Sequence, residues 1–244
     1  MLRMLFNEPP RVAEGQLLQT IQAMEQFSGL LRKQFGAAAD ASKDRGSQAV
    51  QRLRKFEVWT YGLMASLDEL EQSQYAAVQF ARSIHSATIK EMSPEERMSY
   101  YRHVYFDKNA FIRVFALLDK LGTLLNDVFE LQTERIKPHF SYFTVLRTMR
   151  QRNKNQALTD QLVELKERYK EPVSRLRKRR NTEIHYMNSE LEDDLRQSSQ
   201  AFSSQLRLEN LQAQMDDLEQ GMQFVMKTLH LSFSAMAQQM RKRK

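Results

Sequence analysis

Long stretches of three-and-four spacing limit what this chain can fold into. Between residues 48 and 89, Leu53, Phe56, Leu63, Leu67, Leu70, Ala77, Ala81 and Ile84 keep a helical period with two interruptions. Between 205 and 240, Leu208, Leu211, Met215, Leu218, Met222, Val225 and Leu229 alternate by three and four, as in a coiled-coil seam or one long bundle ridge. Phe233, Met236 and Met240 extend that seam after a small stutter. Residues 108–131 place Phe111, Val114, Phe115, Leu118, Leu121, Leu125 and Val128 on one broad face. Helices of this length cover such stripes by packing on other long helices. The predicted fold class is therefore all-α, an elongated antiparallel helical bundle. Seven Gly, five Pro and one Trp in 244 residues agree with helices over sheet.

In chain order, a first helix is predicted over 11–35, with Leu17, Ile21, Met24, Leu31 and Phe35 on one face, stopping at Gly36 before a loop from Asp40 to Ser47. Ser93-Pro-Glu-Glu reads as a capping box, Ser93 at the N-cap and Glu96 at the third helical position. Asp107 is expected to recap the chain before 108–131, and Pro138 to break it within 132–141. A short helix over 141–150, a polar loop 151–156 and a helix over 157–170 follow. The acidic, Ser-rich passage from Ser189 to Ser204 receives no assignment, and the last helix runs over 205–240. The expected organisation is one helical domain over 1–244. Its core spans 48–190, with an N-terminal helix in 1–47 and a long C-terminal helix in 191–244.

A formal net charge of +7, from 37 basic and 30 acidic residues, mildly favours an anionic partner such as nucleic acid. The chain has no Cys, which excludes disulfides, thiolate catalysis and Cys-ligated zinc and fits a cytoplasmic protein. None of the five His has a partner at ligand spacing, so no metal is expected. The glycines are too scattered for a phosphate-binding loop or a dinucleotide fingerprint, so no cofactor is expected either. No apolar run reaches the roughly 18 residues needed to span a membrane, and MLRMLFNEPP is too short an apolar start for a secretory signal. The terminal Arg-Lys-Arg-Lys reads as a solvated end.

The chemistry concentrates in EPVSRLRKRRNTEIHYMNSE, from Glu171 to Glu190. Pro172 suits the first position of a helix. Wound at about 100° per residue, Val173, Leu176, Ile184 and Met187 share a narrow apolar face with Arg180 on its centreline. Asn181, His185 and Asn188 line up beside it, while Arg175, Lys178 and Arg179 are expected to point into solvent. A desolvated charge on an apolar stripe needs a partner.

Arg180-Asn181-Thr182-Glu183-Ile184-His185 reads R-N-x-x-x-H and resembles the signature of the HEPN superfamily. The segment Phe111 to Leu131 looks like the long central helix of one poorly characterised bacterial HEPN-like group. The resemblance implies an all-helical domain that acts as a metal-independent endoribonuclease, or as a non-catalytic RNA-binding or partner module. It also implies that two motifs meet across a homodimer, and it raises an antitoxin or other protein as partner. In HEPN toxins of one type a modified tyrosine sits two residues after the His. Here Tyr186 follows directly and position 187 is Met, so that regulation is not carried over.

The residues support such chemistry. Arg180 offers a fixed fork of donors for a phosphate. His185 can move a proton near neutrality, and Asn181 can orient its ring or bind the phosphate. Arg175, Arg177, Lys178 and Arg179 would border a basic cleft for the strand. A polar line on 108–131, made of Asp119, Thr123, Asn126 and Glu130, is either a solvated face or a row that faces Arg180 and His185 and supplies the countercharge. The structural alternative also stands: Arg180 pairs with a carboxylate of 108–131 and locks two helices, His185 fills a polar corner, and the basic run is a solvated face. A non-enzymatic scaffold using the 208–229 seam for protein contacts is the reading from another class.

Overall fold

The structure, a computed structural model, describes residues 2–41, 48–185 and 211–242, with backbone only at 37–41. Seven α-helices and three 3-10 turns make up the described residues, with no strand among them: α1 Gly15–Ala41, α2 Gln48–Ala81, α3 Pro94–Val128, α4 Tyr142–Gln151, α5 Gln156–Arg168, α6 Lys170–His185 and α7 Leu211–Lys242. The all-α prediction holds. None of the described helices is long and apolar enough to cross a membrane.

The chain divides into two compact units, and α2, α3 and α7 contribute to both. The first comprises Met1–Arg11, Glu69–Phe115 and Tyr169–Met222. Here α2 and α3 run antiparallel: Arg113 bonds Glu69, Ser73 Oγ donates to Asn109 Oδ1 at 2.9 Å, and His103 Nδ1 donates to the Ala77 carbonyl at 2.9 Å. The 3-10 turn Leu2–Phe6 is clasped onto α2 by Arg3 and Arg11 on Glu71 and by Phe6 against Tyr75 and Phe80. The α6 helix packs antiparallel to α3 and α7. Leu176 on α6 is fully buried, and a methyl group added at Gly221 of α7 would overlap its Cδ1.

The second unit comprises Val12–Asp68, Ala116–Arg168 and Gln223–Lys244. Phe27 of α1 meets Phe233 of α7 edge-on at 5.5 Å, and Thr20 Oγ1 donates to the Met226 carbonyl at 3.1 Å. At Gly122, α3 lies so near α4 that an added Cβ would stand 2.9 Å from Tyr142 Cα. Tyr142 is fully buried, and desolvation pushes its phenol well above the ordinary tyrosine value.

Several boundaries differ from the sequence expectation, each for a local reason. The first helix begins at Gly15 and passes Gly36 to Ala41, because three good helix formers, Ala37 to Ala39, follow the glycine. Of the predicted loop, 42–47 lies outside the described residues. The second helix stops at Ala81, eight residues before its predicted end at 89, because the chain turns there. That turn is held by the Glu96 carboxylate, which accepts from the backbone N–H groups of His85 and Ser86, each at 2.6 Å, and from Ser86 Oγ at 2.7 Å. These bonds, the Ser86 backbone one foremost, hold the Glu96 carboxyl down at about 2. Half of the capping box is made, Glu96 N donating to Ser93 Oγ at 3.2 Å, while the Glu96 side chain serves the preceding turn.

Asp107 does not recap anything. No Gly or Pro interrupts Glu95 to Leu121, so α3 is continuous, and Asp107 sits mid-helix on the buried face with His103, Ala110, Phe111 and Val114. The break after α3 comes before Pro138. Glu130 and Gln132 take left-handed backbone (φ 55° and 51°), and Leu131 N donates back to the Asn126 carbonyl at 2.9 Å, a Schellman-type ending. In α7, Leu218, Met222, Val225, Leu229, Phe233, Met236 and Met240 are buried within this chain, while Leu211 and Met215 are half-buried, so the seam from Leu218 onward is taken up by the chain itself. Leu208 and the start of that predicted helix lie outside the described residues.

Candidate functional site

The motif helix α6 starts at Lys170, two residues before Pro172, which still falls in the first turn where its missing N–H has no intrahelical acceptor. Its apolar face climbs out of the core along its length. Val173 and Leu176 are buried at 5% and 0% exposure, Arg180 is half-buried, and Ile184 is exposed at 52%. The face is thus not one surface for a second copy, because its first half is already packed inside the chain. Met187 and Asn188 lie outside the described residues.

The basic run is not a uniform solvated edge: Arg179 is half-buried, against the expectation that it points into solvent, and Arg175, though exposed, is paired. Arg175 forms a two-pronged pair with Asp217 of α7, Nε to Oδ2 at 2.8 Å and Nη2 to Oδ1 at 2.7 Å, and this keeps its guanidinium still more firmly protonated. One turn on, Arg179 bonds Asp107 of α3, donates to Gln214 Oε1 at 3.3 Å and lies over the Phe111 ring at 4.7 Å. The two arginines anchor α6 to two different helices. Their acids are nearly enclosed, Asp217 with a side chain 10% exposed and Asp107 with one 3% exposed.

Arg180 is set differently. Its guanidinium lies over the Phe115 ring at 5.0 Å, its Nε is buried without a hydrogen-bond partner, and no carboxylate pairs with it among the described residues. Arg177 lies over the same ring at 6.0 Å. Lys178, Asn181 and His185 are exposed, the last two on one ridge at i, i+4 spacing. Thr182 Oγ1 donates to the Lys178 carbonyl at 3.1 Å, and Glu183 pairs with Lys108 of α3 at 3.3 Å. The structure therefore brings Arg180, Asn181, His185, Arg177 and Lys178 together on the last turns of one helix. It assigns Arg175 and Arg179 to holding that helix.

Asp119, Asn126 and Glu130 have work of their own in the second unit. Asp119 Oδ1 accepts from Tyr142 N at 2.9 Å at the start of α4. Asn126 is buried, accepts from Thr133 N and donates to Glu134, both at 2.9 Å. Glu130 accepts from Arg52 at 2.7 Å. The row is thus not simply a solvated face.

Asp107 and Asp217, which orient the motif helix, were missed in the sequence. The signal for Asp107 was its place at three-and-four spacing among Ala110, Phe111 and Val114, a buried position where an acid requires a cation.

An all-helical chain with R-N-x-x-x-H on a late helix, its arginine half-buried and its histidine exposed, has the make-up of a HEPN domain. The family model described as HEPN_Cthe2314-like HEPN matches residues 59–237, and the chain belongs to that family. Nothing matches among curated proteins or among solved structures.

Proposed function

We propose that this HEPN protein is directed at RNA and acts as a metal-independent endoribonuclease through Arg180, Asn181 and His185. One observation carries the reading: Arg180 has no carboxylate among the described residues, while Arg175 and Arg179 on the same helix are both paired. The helix-locking role that would explain Arg180 structurally is filled by its neighbours. A half-buried guanidinium with no carboxylate partner among the described residues suits a phosphate supplied from outside.

In the proposed reaction a ribose 2′-hydroxyl attacks the adjacent phosphorus and the 5′-oxygen leaves. A 2′,3′-cyclic phosphate remains, and the 5′-oxygen takes up a proton. Arg180 stabilises the charge that builds on the phosphoryl oxygens, and His185 carries one of the two proton transfers. Asn181, one turn before His185, holds the ring or the phosphate. The second proton transfer falls to a second motif, so the site is composite, and the exposed Ile184 is the apolar contact left near the axis of a homodimer.

The test is cleavage of single-stranded RNA in EDTA, with 2′,3′-cyclic ends as the product. His185→Ala should abolish cleavage, and Ile184→Asp should abolish it together with dimerisation in light scattering. Wild-type protein inert on diverse RNAs would remove the catalytic reading. A strictly monomeric active protein would remove the composite site.

RNA binding without cleavage is the second reading. It is favoured by His185, whose ring has no orienting partner among the described residues. RNA binding that survives in a preparation free of cleavage would select it.

A further inference from the structure

On α3, Met98, Tyr101 and Tyr105 are exposed at 51%, 56% and 64%, spaced three and four apart, with Lys108 and the half-buried Ile112 continuing the line. The opposite face of the same helix carries the core. An isolated exposed apolar residue needs no explanation, but a line of large ones along one helix does.

We propose that this face is a stacking platform for the bases of a single-stranded RNA, which leads the strand toward α6 and Arg180; the proposal rests on the RNA-directed reading above. The line comes alongside the motif helix, where Lys108 pairs with Glu183 of α6 at 3.3 Å, three residues after Arg180 and on the same side of that helix. Tyr101 and Tyr105 are one turn apart, about 6 Å along the axis. That is nearly twice the roughly 3.4 Å rise of stacked bases, so each ring has room for one base of a drawn-out strand. Aromatic rings accept any base, which suits a site without sequence preference.

Charge chooses the occupant. Arg97 and Arg102 flank the tyrosines, and neither has a carboxylate partner among the described residues: Arg97 donates to the Ile89 carbonyl at 3.4 Å, and Arg102 lies over the Phe80 ring at 5.5 Å. Of the nearby acids, Glu183 is paired with Lys108, while Glu95 keeps its charge and only accepts from the Ser93 hydroxyl. A second copy brought onto this face about a two-fold axis would set the same arginines against each other, whereas a polyanion is drawn to them.

The probe is a fluorescently labelled 2′-O-methyl oligouridylate, which lacks the attacking hydroxyl and so reports binding without cleavage. Anisotropy should give a Kd at least about tenfold weaker for Tyr101→Ala/Tyr105→Ala, within the range for loss of stacked bases. Tyr101→Phe/Tyr105→Phe, which keeps both rings, should bind as wild type does. Molar mass by light scattering should not change in either variant. If the alanine variant binds as wild type while Lys178→Glu does not, the platform is overturned and the RNA reading stands. A wild type that binds no RNA overturns both. A fall in molar mass in the alanine variant overturns the platform in favour of a contact between copies.

Discussion

Arg179 is bonded to Asp107, whose side chain is 3% exposed, while Arg180, the next residue, faces the Phe115 ring with no carboxylate among the described residues. Two adjacent arginines on one helix thus have opposite fates, and they should respond differently to substitution. Asp107→Ala leaves Arg179 without its enclosed partner and is expected to destabilise by about 3 kcal/mol, the scale for breaking a buried pair. Arg180→Leu gives up a cation–ring contact but fills an apolar edge, and is expected to change stability by less than about 1 kcal/mol. Urea denaturation of the two variants checks both. Equal losses would mean that Arg180 also locks the helix.

The turn after α2 gives a pH signature. The Glu96 carboxyl is held at about 2, below its ordinary 4.5, by the Ser86 and His85 N–H groups and the Ser86 hydroxyl. A carboxyl depressed in the folded state binds protons more readily when unfolded. Its contribution is therefore fully present above the ordinary value and is lost as pH falls through about 2. Thermal melts between those limits should show wild type losing more stability than Glu96→Gln on acidification. Parallel curves would count against the capped turn.

Gly122 and Gly36 should move in opposite directions. Gly122 admits Tyr142, and the obstructing atom is backbone Cα at 2.9 Å from the new Cβ, so Gly122→Ala is expected to cost about 1–3 kcal/mol. Gly36 is helical with nothing within 4 Å of an added Cβ. Gly36→Ala is expected to stabilise by about 0.5–1 kcal/mol through helix propensity and the stiffer unfolded chain. Thermal denaturation of the pair is the check.

The repeated apolar spacing made the helices legible, because burying a stripe of Leu, Phe and Met leaves few alternatives. The signature from Arg180 to His185 was legible as well, since it is contiguous. The partners of the basic run were not. Asp107 and Asp217 lie far from α6 in sequence, and an acid on a long charged helix looks the same whether it meets water or an arginine. Helix winding correctly put Val173 and Leu176 on the apolar face with Arg180. It could not tell that this face leaves the core partway along, because that depends on where α3 and α7 stop covering it. Glu96 was recognised as a capping residue, but which end it serves depended on a turn that local spacing does not encode.

That difference also changes how RNA contact has to be probed. Reversing Arg175, Lys178 and Arg179 together to Glu looks from the sequence like a surface experiment. In the structure it would set new acids against Asp217 and Asp107, so lost binding could simply be lost folding. Lys178 is exposed, with no carboxylate partner among the described residues, and Lys178→Glu tests charge alone. Binding of wild type to single-stranded RNA should fall linearly in log salt, with a slope of roughly −0.7 for each phosphate neutralised. Lys178→Glu should flatten the slope by about that amount if Lys178 meets one phosphate, with its urea midpoint unchanged. A variant that keeps the wild-type slope would place the strand elsewhere on the protein.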